Sequence, residues 1–471
     1  MPTATTESNE DSYRDSISLV DKGGHRNWVY PKKPKGPLYN GRTWFSILLM
    51  TLLFAGPFLK LNGHPILLLN ILQRKFIILG IPFWPQDMPL FALLMITFVM
   101  FIIVFTVVFG RLFCGWACPQ TIFMEMLFRK IEYWIEGDYK AQKKLDEQEW
   151  NTNKITKKGI KHILFFVLAV AIANTFLSYL IGIDEVKKLI TDGPMAHKGQ
   201  FIALIIFSTA FYAVFAKFRE IVCIVVCPYG RLQGLMLDKN SIVVAYDFVR
   251  GEPRGFRKKG VEQSLGDCVD CHRCVQVCPT GIDIRNGTQL ECINCTACID
   301  ECNDVMEKIH QPKGLIRYAS QEEISRGSKK RVTLRSVAYM TILVVLISVL
   351  TYLLATRDEV ATTILRTPGM LYQQQDAEHI SNMYNFEVVN KTFDDQHIDL
   401  KIKSPANTTL KMVDRNTSEL LLKEDDIVKG SFFLIMPQQG ITQNNIEAEI
   451  ELYSNGNLIK TIKTNFVAPV K

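Results

Sequence analysis

Apolar positions in this chain are gathered into five long uncharged runs, residues 43–59, 89–110, 162–183, 199–216 and 336–356. Each approaches the roughly 20 residues that let an α-helix cross a bilayer with its backbone groups bonded internally. The pattern predicts a polytopic α-helical membrane protein of about five spans. A further apolar stretch, residues 65–84, is broken by Gln73, Arg74 and Lys75, so it reads as an interfacial or re-entrant segment. The adjoining Asn62-Gly63-His64-Pro65 and Phe83-Trp84-Pro85-Gln86-Asp87 suit an outer membrane–water interface. His64 reads there as a turn residue, not a metal ligand.

From residue 370 the period changes. Seven short runs alternate or favour β-branched residues: 384–389, 397–402, 410–413, 420–423, 431–436, 446–453 and 458–466. Asn455-Gly456, between the last two, is a two-residue hairpin signal. Short strands at this density predict an immunoglobulin-like β-sandwich, and this region carries no cysteine and no catalytic constellation. The stretch beginning Glu132-Tyr133-Trp134-Ile135-Glu136-Gly137-Asp138 is a polar helix whose carboxylates are expected on a solvated face balanced by lysines. Residues 1–42 are polar, then turn-rich, and lack the short apolar core and cleavage site of a secretory signal. Their basic residues are expected against anionic headgroups.

Charge orients the spans. Seven Lys and Arg residues precede the first run and ten lie in 111–161, against two in 61–88 and three in 184–198. Cytoplasmic loops are the basic ones, so the N-terminus and the 111–161 loop belong inside, and five crossings leave everything after Arg357 outside. This asymmetry accounts for the formal net charge of +7, which is therefore not a sign of nucleic-acid binding.

Eight of the twelve cysteines fall in residues 267–306, spaced C-x2-C-x2-C-x3-C twice. That is the ligand spacing of a bacterial-type ferredoxin holding two [4Fe-4S] clusters, in which the fourth cysteine of each run closes the other run's cluster. One cluster then takes Cys268, Cys271, Cys274 and Cys302, and the other Cys292, Cys295, Cys298 and Cys278. Pro279 fits the pattern, whereas the second run has Asn303 in the equivalent place. A disulfide framework is disfavoured by the cytoplasmic flanks, and zinc by triplets with a remote fourth ligand. His272, between two ligands, either tunes a cluster or faces solvent.

The other four cysteines form two C-x3-C-P motifs, Cys114/Cys118 before Pro119 and Cys223/Cys227 before Pro228, each following a span. Cysteines four apart share a helix face, so a duplicated unit would bring four thiols together. Soft thiolates suit Cu(I), another iron–sulfur cluster or zinc. The domains expected are a cytoplasmic tail (1–42), a four-helix membrane region (43–235), a cytoplasmic ferredoxin domain (236–331), a fifth transmembrane helix (332–357) and an external β-domain (358–471).

The order of GRLFCGWACPQT, IVCIVVCPYGR, the double cysteine run, a last span and an external β-domain resembles the cytochrome c oxidase accessory protein family called CcoG, FixG or RdxA. NGHP, FWPQD and IEYWIEGD strengthen the resemblance. It implies a bacterial inner-membrane protein with the β-domain in the periplasm, reducing Cu(II) to Cu(I) for assembly of a cbb3-type oxidase. Copper held by Cys114, Cys118, Cys223 and Cys227 would receive electrons through the clusters from an unidentified donor. The partners implied are the lipid bilayer and copper-delivery or oxidase-assembly proteins, and a homodimer is compatible with the sequence. A quinol-linked relay to a periplasmic reductase and a non-catalytic assembly scaffold are the competing readings.

Overall fold

The computed structural model describes residues 25–469 apart from 62, 72–74, 85–86, 257–264, 328–332, 377, 414–416, 425, 439–440 and 442. Gln73, Arg74, Asn62, Pro85 and Gln86, and the first 24 residues of the tail, thus lie outside the described residues. The described chain forms two compact units, one running to Phe58 and from Met95 to Ile347, the other Leu59–Leu94 with Ser348 onward.

Among the described residues five helical segments are long and apolar enough to cross a membrane: α1 (Pro37–Ala55, continued to Phe58), α2 (Met88–Phe109), α3 (Thr152–Ile181), α4 (Lys198–Ala213, continued to Phe218) and α5 (Leu334–Ala355). They coincide with the five runs. Only 22% of the most apolar window of α2 is buried inside the protein and 11% of that of α5, so their outward apolar surface requires lipid. Within the first unit, Phe128 stacks on Phe215 at 4.7 Å and meets Phe165 edge-on at 4.8 Å, forming a fully buried aromatic knot.

Beside that knot Glu132 and Glu136 lie in a buried ion layer, whereas the solvated, lysine-balanced face expected for the segment is found farther on, where exposed Lys143 and Glu147 pair at 3.8 Å. Glu132 and Glu136 are each only 3% exposed. Glu132 pairs with Arg219 and with Lys161 at 3.5 Å, and Glu136 with Lys161 at 2.8 Å and Lys158 at 3.0 Å. Arg129 joins Glu220 and, at 3.0 Å, Glu125. The local pattern correctly balanced acid with base, but the partners on Arg129, Lys161 and Arg219 bury the carboxylates.

In the described part of the tail two basic residues pair with protein acids. Arg26 reaches Glu220 at 3.5 Å, Lys32 reaches Glu301 at 2.6 Å, and Trp28 lies between the guanidinium groups of Arg26 and Arg219 at 4.2 and 4.7 Å. The Lys32 N–H donates to the Gln276 carbonyl at 2.8 Å, so the tail straps the cysteine-rich domain to the helices.

The second unit corrects the reading of residues 65–84. They form three antiparallel strands, β1 (Leu67–Asn70), β2 (Lys75–Ile78) and β3 (Ile81–Phe83), instead of a re-entrant segment. Period-two burial explains this: Leu68, Ile77 and Phe83 turn inward while Leu67 and Ile81 remain exposed. Asp87, 7% exposed, binds Lys391 at 2.5 Å and Arg357 at 2.6 Å. His64 is a strand residue stacked on Phe393 at 4.0 Å.

The C-terminal sandwich contains all seven expected strands and, among the described residues, two more, β4 (Val360–Arg366) and the two-residue strand Gln373–Gln374. The rest are β5 (His379–Asn390), β6 (Gln396–Ser404), β7 (Thr409–Met412), β8 (Glu419–Leu422), β9 (Ile427–Pro437), β10 (Asn445–Ser454) and β11 (Asn457–Val467). One sheet runs β7-β9-β5-β4, with Gln373–Gln374 also on β5, and the other β8-β6-β10-β11. Tyr384, Phe432, Leu434, Ile450 and Phe466 fill the space between them. Asn455 and Gly456 both take positive φ, as the hairpin turn requires.

Candidate functional site: two thiol-lined cavities and a membrane-edge thiol quartet

The cysteine-rich domain is tied at its ends by strand Val243–Tyr246 pairing antiparallel with Ile316–Ala319. Between them the two cysteine runs fold into matching loops. In the first, Asp270 and His272 are left-handed; in the second, Asn294 and Thr296 occupy the same positions with the same hand. Such residues alternate with the ligands and curl the sulfurs inward, at a cost of about 1–3 kcal/mol each that the surroundings must offset. After Cys278, Pro279 ends the turn, whereas helix Ala297–Lys308 runs on through Cys302. That continuation explains Asn303, whose side-chain oxygen accepts the Gly314 N–H at 2.9 Å.

The loops enclose two cavities. One is lined by Cys268, Cys271, Cys274 and Cys302, the other by Cys278, Cys292, Cys295 and Cys298. The fourth cysteine of each run therefore faces the other run's cavity, as the spacing predicted. Cys274 lies on both walls, so the cavities adjoin. Among the described residues no cysteines are disulfide-bonded, and no three His, Cys, Asp or Glu side chains approach closely enough to share a single metal ion. Four thiols that line one cavity without converging on a single point fit a cubane cluster better than a zinc ion.

Burial pushes the thiols of Cys274, Cys292 and Cys302 up to about 12 and that of Cys295 up to about 11. The cavities thus disfavour bare thiolates, and iron supplies the compensating positive charge when a cluster is bound. Backbone N–H groups are already aimed at the sulfurs: those of Thr280, Gly281 and Ile282 at Cys278, and that of Ile316 at Cys302. His272 lines the first cavity with its Nδ1 2.9 Å from Arg285 Nη2, while its side chain, 56% exposed, also faces solvent.

The C-x3-C-P motifs share a second local geometry. Cys114 sits in the short helix Leu112–Trp116 and Cys223 in the π-helical turn Val222–Val226. Cys118 and Cys227 are extended, each capping a helix that begins with Pro119 or Pro228. The pairs do not share one continuous helix face, because the residue before proline is driven out of helical geometry. The four thiols share one neighbourhood without three of them converging on a single point: Cys223 feels Cys118, Cys114 and Cys227, and burial raises its thiol to about 12 and that of Cys114 to about 11. Cys114 Sγ donates to Gln233 Oε1 at 3.3 Å.

Family models agree with this layout. The "4Fe-4S dicluster domain" matches residues 218–321, the "4Fe-4S binding domain" residues 91–140, and the "IG-like fold at C-terminal of FixG" residues 350–469. Protein RdxA of Cereibacter sphaeroides is 33% identical over 401 residues, 81% of this chain and 83% of the relative. This chain belongs to the FixG/RdxA family. Protein RdxB of the same organism is 33% identical over 82% of this chain and 84% of its own length, and nitrogen fixation protein FixG of Rhizobium meliloti is 35% identical over 63% and 57%. As a FixG/RdxA-family member the chain is an integral membrane, iron–sulfur electron-transport protein.

The structure adds residues that the cysteine pattern does not reveal in this FixG/RdxA-family chain. Arg111, 7% exposed, donates from Nη2 to the Gly230 carbonyl at 2.6 Å and from Nη1 to the Leu290 carbonyl. Arg42, 3% exposed, donates from Nε to the Gly115 carbonyl at 2.6 Å. Both are single basic residues next to apolar runs, and the charge asymmetry counted them only as topology signals.

Proposed function

We propose that this protein reduces Cu(II) to Cu(I) at Cys114, Cys118, Cys223 and Cys227, as a step in assembling a cbb3-type cytochrome c oxidase. The observation that supports the reading is that four half-buried soft donors act electrostatically on one another beside the loop of the second cluster cavity. Thiolates stabilise Cu(I) over Cu(II), so the quartet favours the product oxidation state. Each turnover takes one electron from a cytoplasmic one-electron donor and releases one Cu(I). The clusters, when bound, supply single-electron storage at low potential. The basic loops support a cytoplasmic cysteine-rich domain and an external β-domain in a bacterial inner membrane.

The deciding experiment gives dithionite-reduced, cluster-loaded protein Cu(II) under anaerobic conditions and follows Cu(I) with a chelating dye. Wild type should form Cu(I), and a variant with all four membrane-edge cysteines changed to serine should not. Equal rates would refute the assignment. A second reading is favoured by the match of a 4Fe-4S binding domain to residues 91–140, where Cys114 and Cys118 are the cysteines. There the quartet holds a third cluster, and iron analysis would find three cubes per chain instead of two.

A further inference from the structure

The two cluster cavities are not equivalent with respect to the membrane-edge thiols. A Cβ added at Gly115, the residue directly after Cys114, would lie 2.5 Å from the Ile293 carbonyl oxygen and 2.6 Å from that of Asn294. Ile293 and Asn294 are the two residues between Cys292 and Cys295, so the first C-x3-C segment lies directly on the loop of the second cavity. Only glycine permits this approach.

Three further contacts hold the joint. The Trp116 indole N–H donates to the Tyr318 hydroxyl at 3.1 Å, and that hydroxyl donates to the Asn294 carbonyl at 3.2 Å. Arg111 clasps carbonyls on either side, Gly230 just beyond Cys227 and Leu290 just before Cys292. Its guanidinium acts electrostatically on both Cys114 and Cys292. Arg42 holds Gly115 from the opposite side. The first cavity has a different wall: Tyr246 lines it with Cys268, and its hydroxyl donates to Glu252 Oε1 at 3.2 Å. Cys274 connects the two cavities.

We propose that Arg111 and Gly115 are positioning residues of an ordered electron path, in which electrons enter at the Cys268/Cys271/Cys274/Cys302 quartet and leave from the Cys278/Cys292/Cys295/Cys298 quartet across the Gly115 joint. The inference rests on the reading of the four membrane-edge thiols as the acceptor site. One electron crosses the joint for each Cu(II) that becomes Cu(I), and a one-electron donor protein replaces it at the first quartet. No bond to carbon forms or breaks, and no side chain needs to be oxidised.

The test uses full-length, cluster-loaded protein in detergent, with iron content as the control for intact loading. Tyr318→Phe and Tyr246→Phe should each shift the midpoint potential of a different cluster EPR signal, which labels the two. One equivalent of Cd(II), a redox-inert ion that binds thiolates, should then shift the Tyr318-sensitive potential and leave the Tyr246-sensitive one unmoved. Gly115→Ala, or the milder Arg111→Gln if the former loads poorly, should abolish that shift. Equal shifts of both signals, a shift confined to the Tyr246-sensitive signal, no shift, or a shift that survives both variants would each overturn the path. This readout needs no copper turnover, so a protein that shows the selective Cd(II) shift and yet fails to reduce Cu(II) keeps the joint and loses only the copper reading.

Discussion

Asp270, His272, Asn294 and Thr296 take left-handed conformations between the ligand cysteines, and this aims each run's triplet into a cavity while a helical turn carries its fourth cysteine away. The crossing of the ligands can be tested residue by residue. Cys302→Ser and Cys268→Ser should leave the same residual cluster spectrum, and Cys278→Ser and Cys292→Ser should leave the other one. EPR of the dithionite-reduced variants with iron analysis reads this directly. If Cys302→Ser instead matched Cys292→Ser, each run would close its own cluster. The spacing alone predicted this crossing, because it is a property of how far a helical turn moves the chain.

At the scale of elements, the helices of the first unit are joined by charge as well as by the Phe128 knot. Burial opposes ionisation of Glu132, but Arg219 and Lys161 outweigh it and hold its carboxyl down to about 2. Glu132→Gln should lower stability by about 3–5 kcal/mol, since it leaves buried cations without their partner. A melting curve of the protein in detergent measures the loss. The pH dependence has a fixed sign: with the folded value below the usual 4.5, the contribution is complete above about pH 4.5 and disappears as pH falls toward about 2. The wild-type advantage over Glu132→Gln should therefore shrink through that window. Trp28→Ala removes the ring between Arg26 and Arg219 and should cost about 1–2 kcal/mol, read as faster proteolysis of the N-terminal strap.

At the scale of the whole molecule, residues from before α2 and after α5 build one unit. Asp87 is its ionic link, holding Lys391 from the sandwich and Arg357 from the start of the C-terminal region. Asp87→Asn should destabilise this unit by about 3–5 kcal/mol, because two buried cations lose their carboxylate. Differential scanning calorimetry should show one transition lowered while the charge-transfer absorption of the clusters, which reports the other unit, is unchanged. Coupled loss of both signals would contradict the division into two units.

By itself the sequence determined the features governed by short-range periodicity and spacing: five apolar helices, the strands after residue 370, the Asn455-Gly456 turn and the ligand sets of both cavities. Bilayer thickness, pleat alternation and the reach of a helical turn are local quantities, so local patterns encode them. The fate of Glu132 and Glu136, the strapping role of Arg26 and Lys32, the strands Leu67–Asn70, Lys75–Ile78 and Ile81–Phe83 and the edge strand Val360–Arg366 depended on partners distant in the chain. Only tertiary structure could decide them, because burial and pairing are properties of what packs against a residue. The same reason hid the joint at Gly115: a glycine between two cysteines carries no signal until the Ile293–Asn294 backbone is seen lying against it.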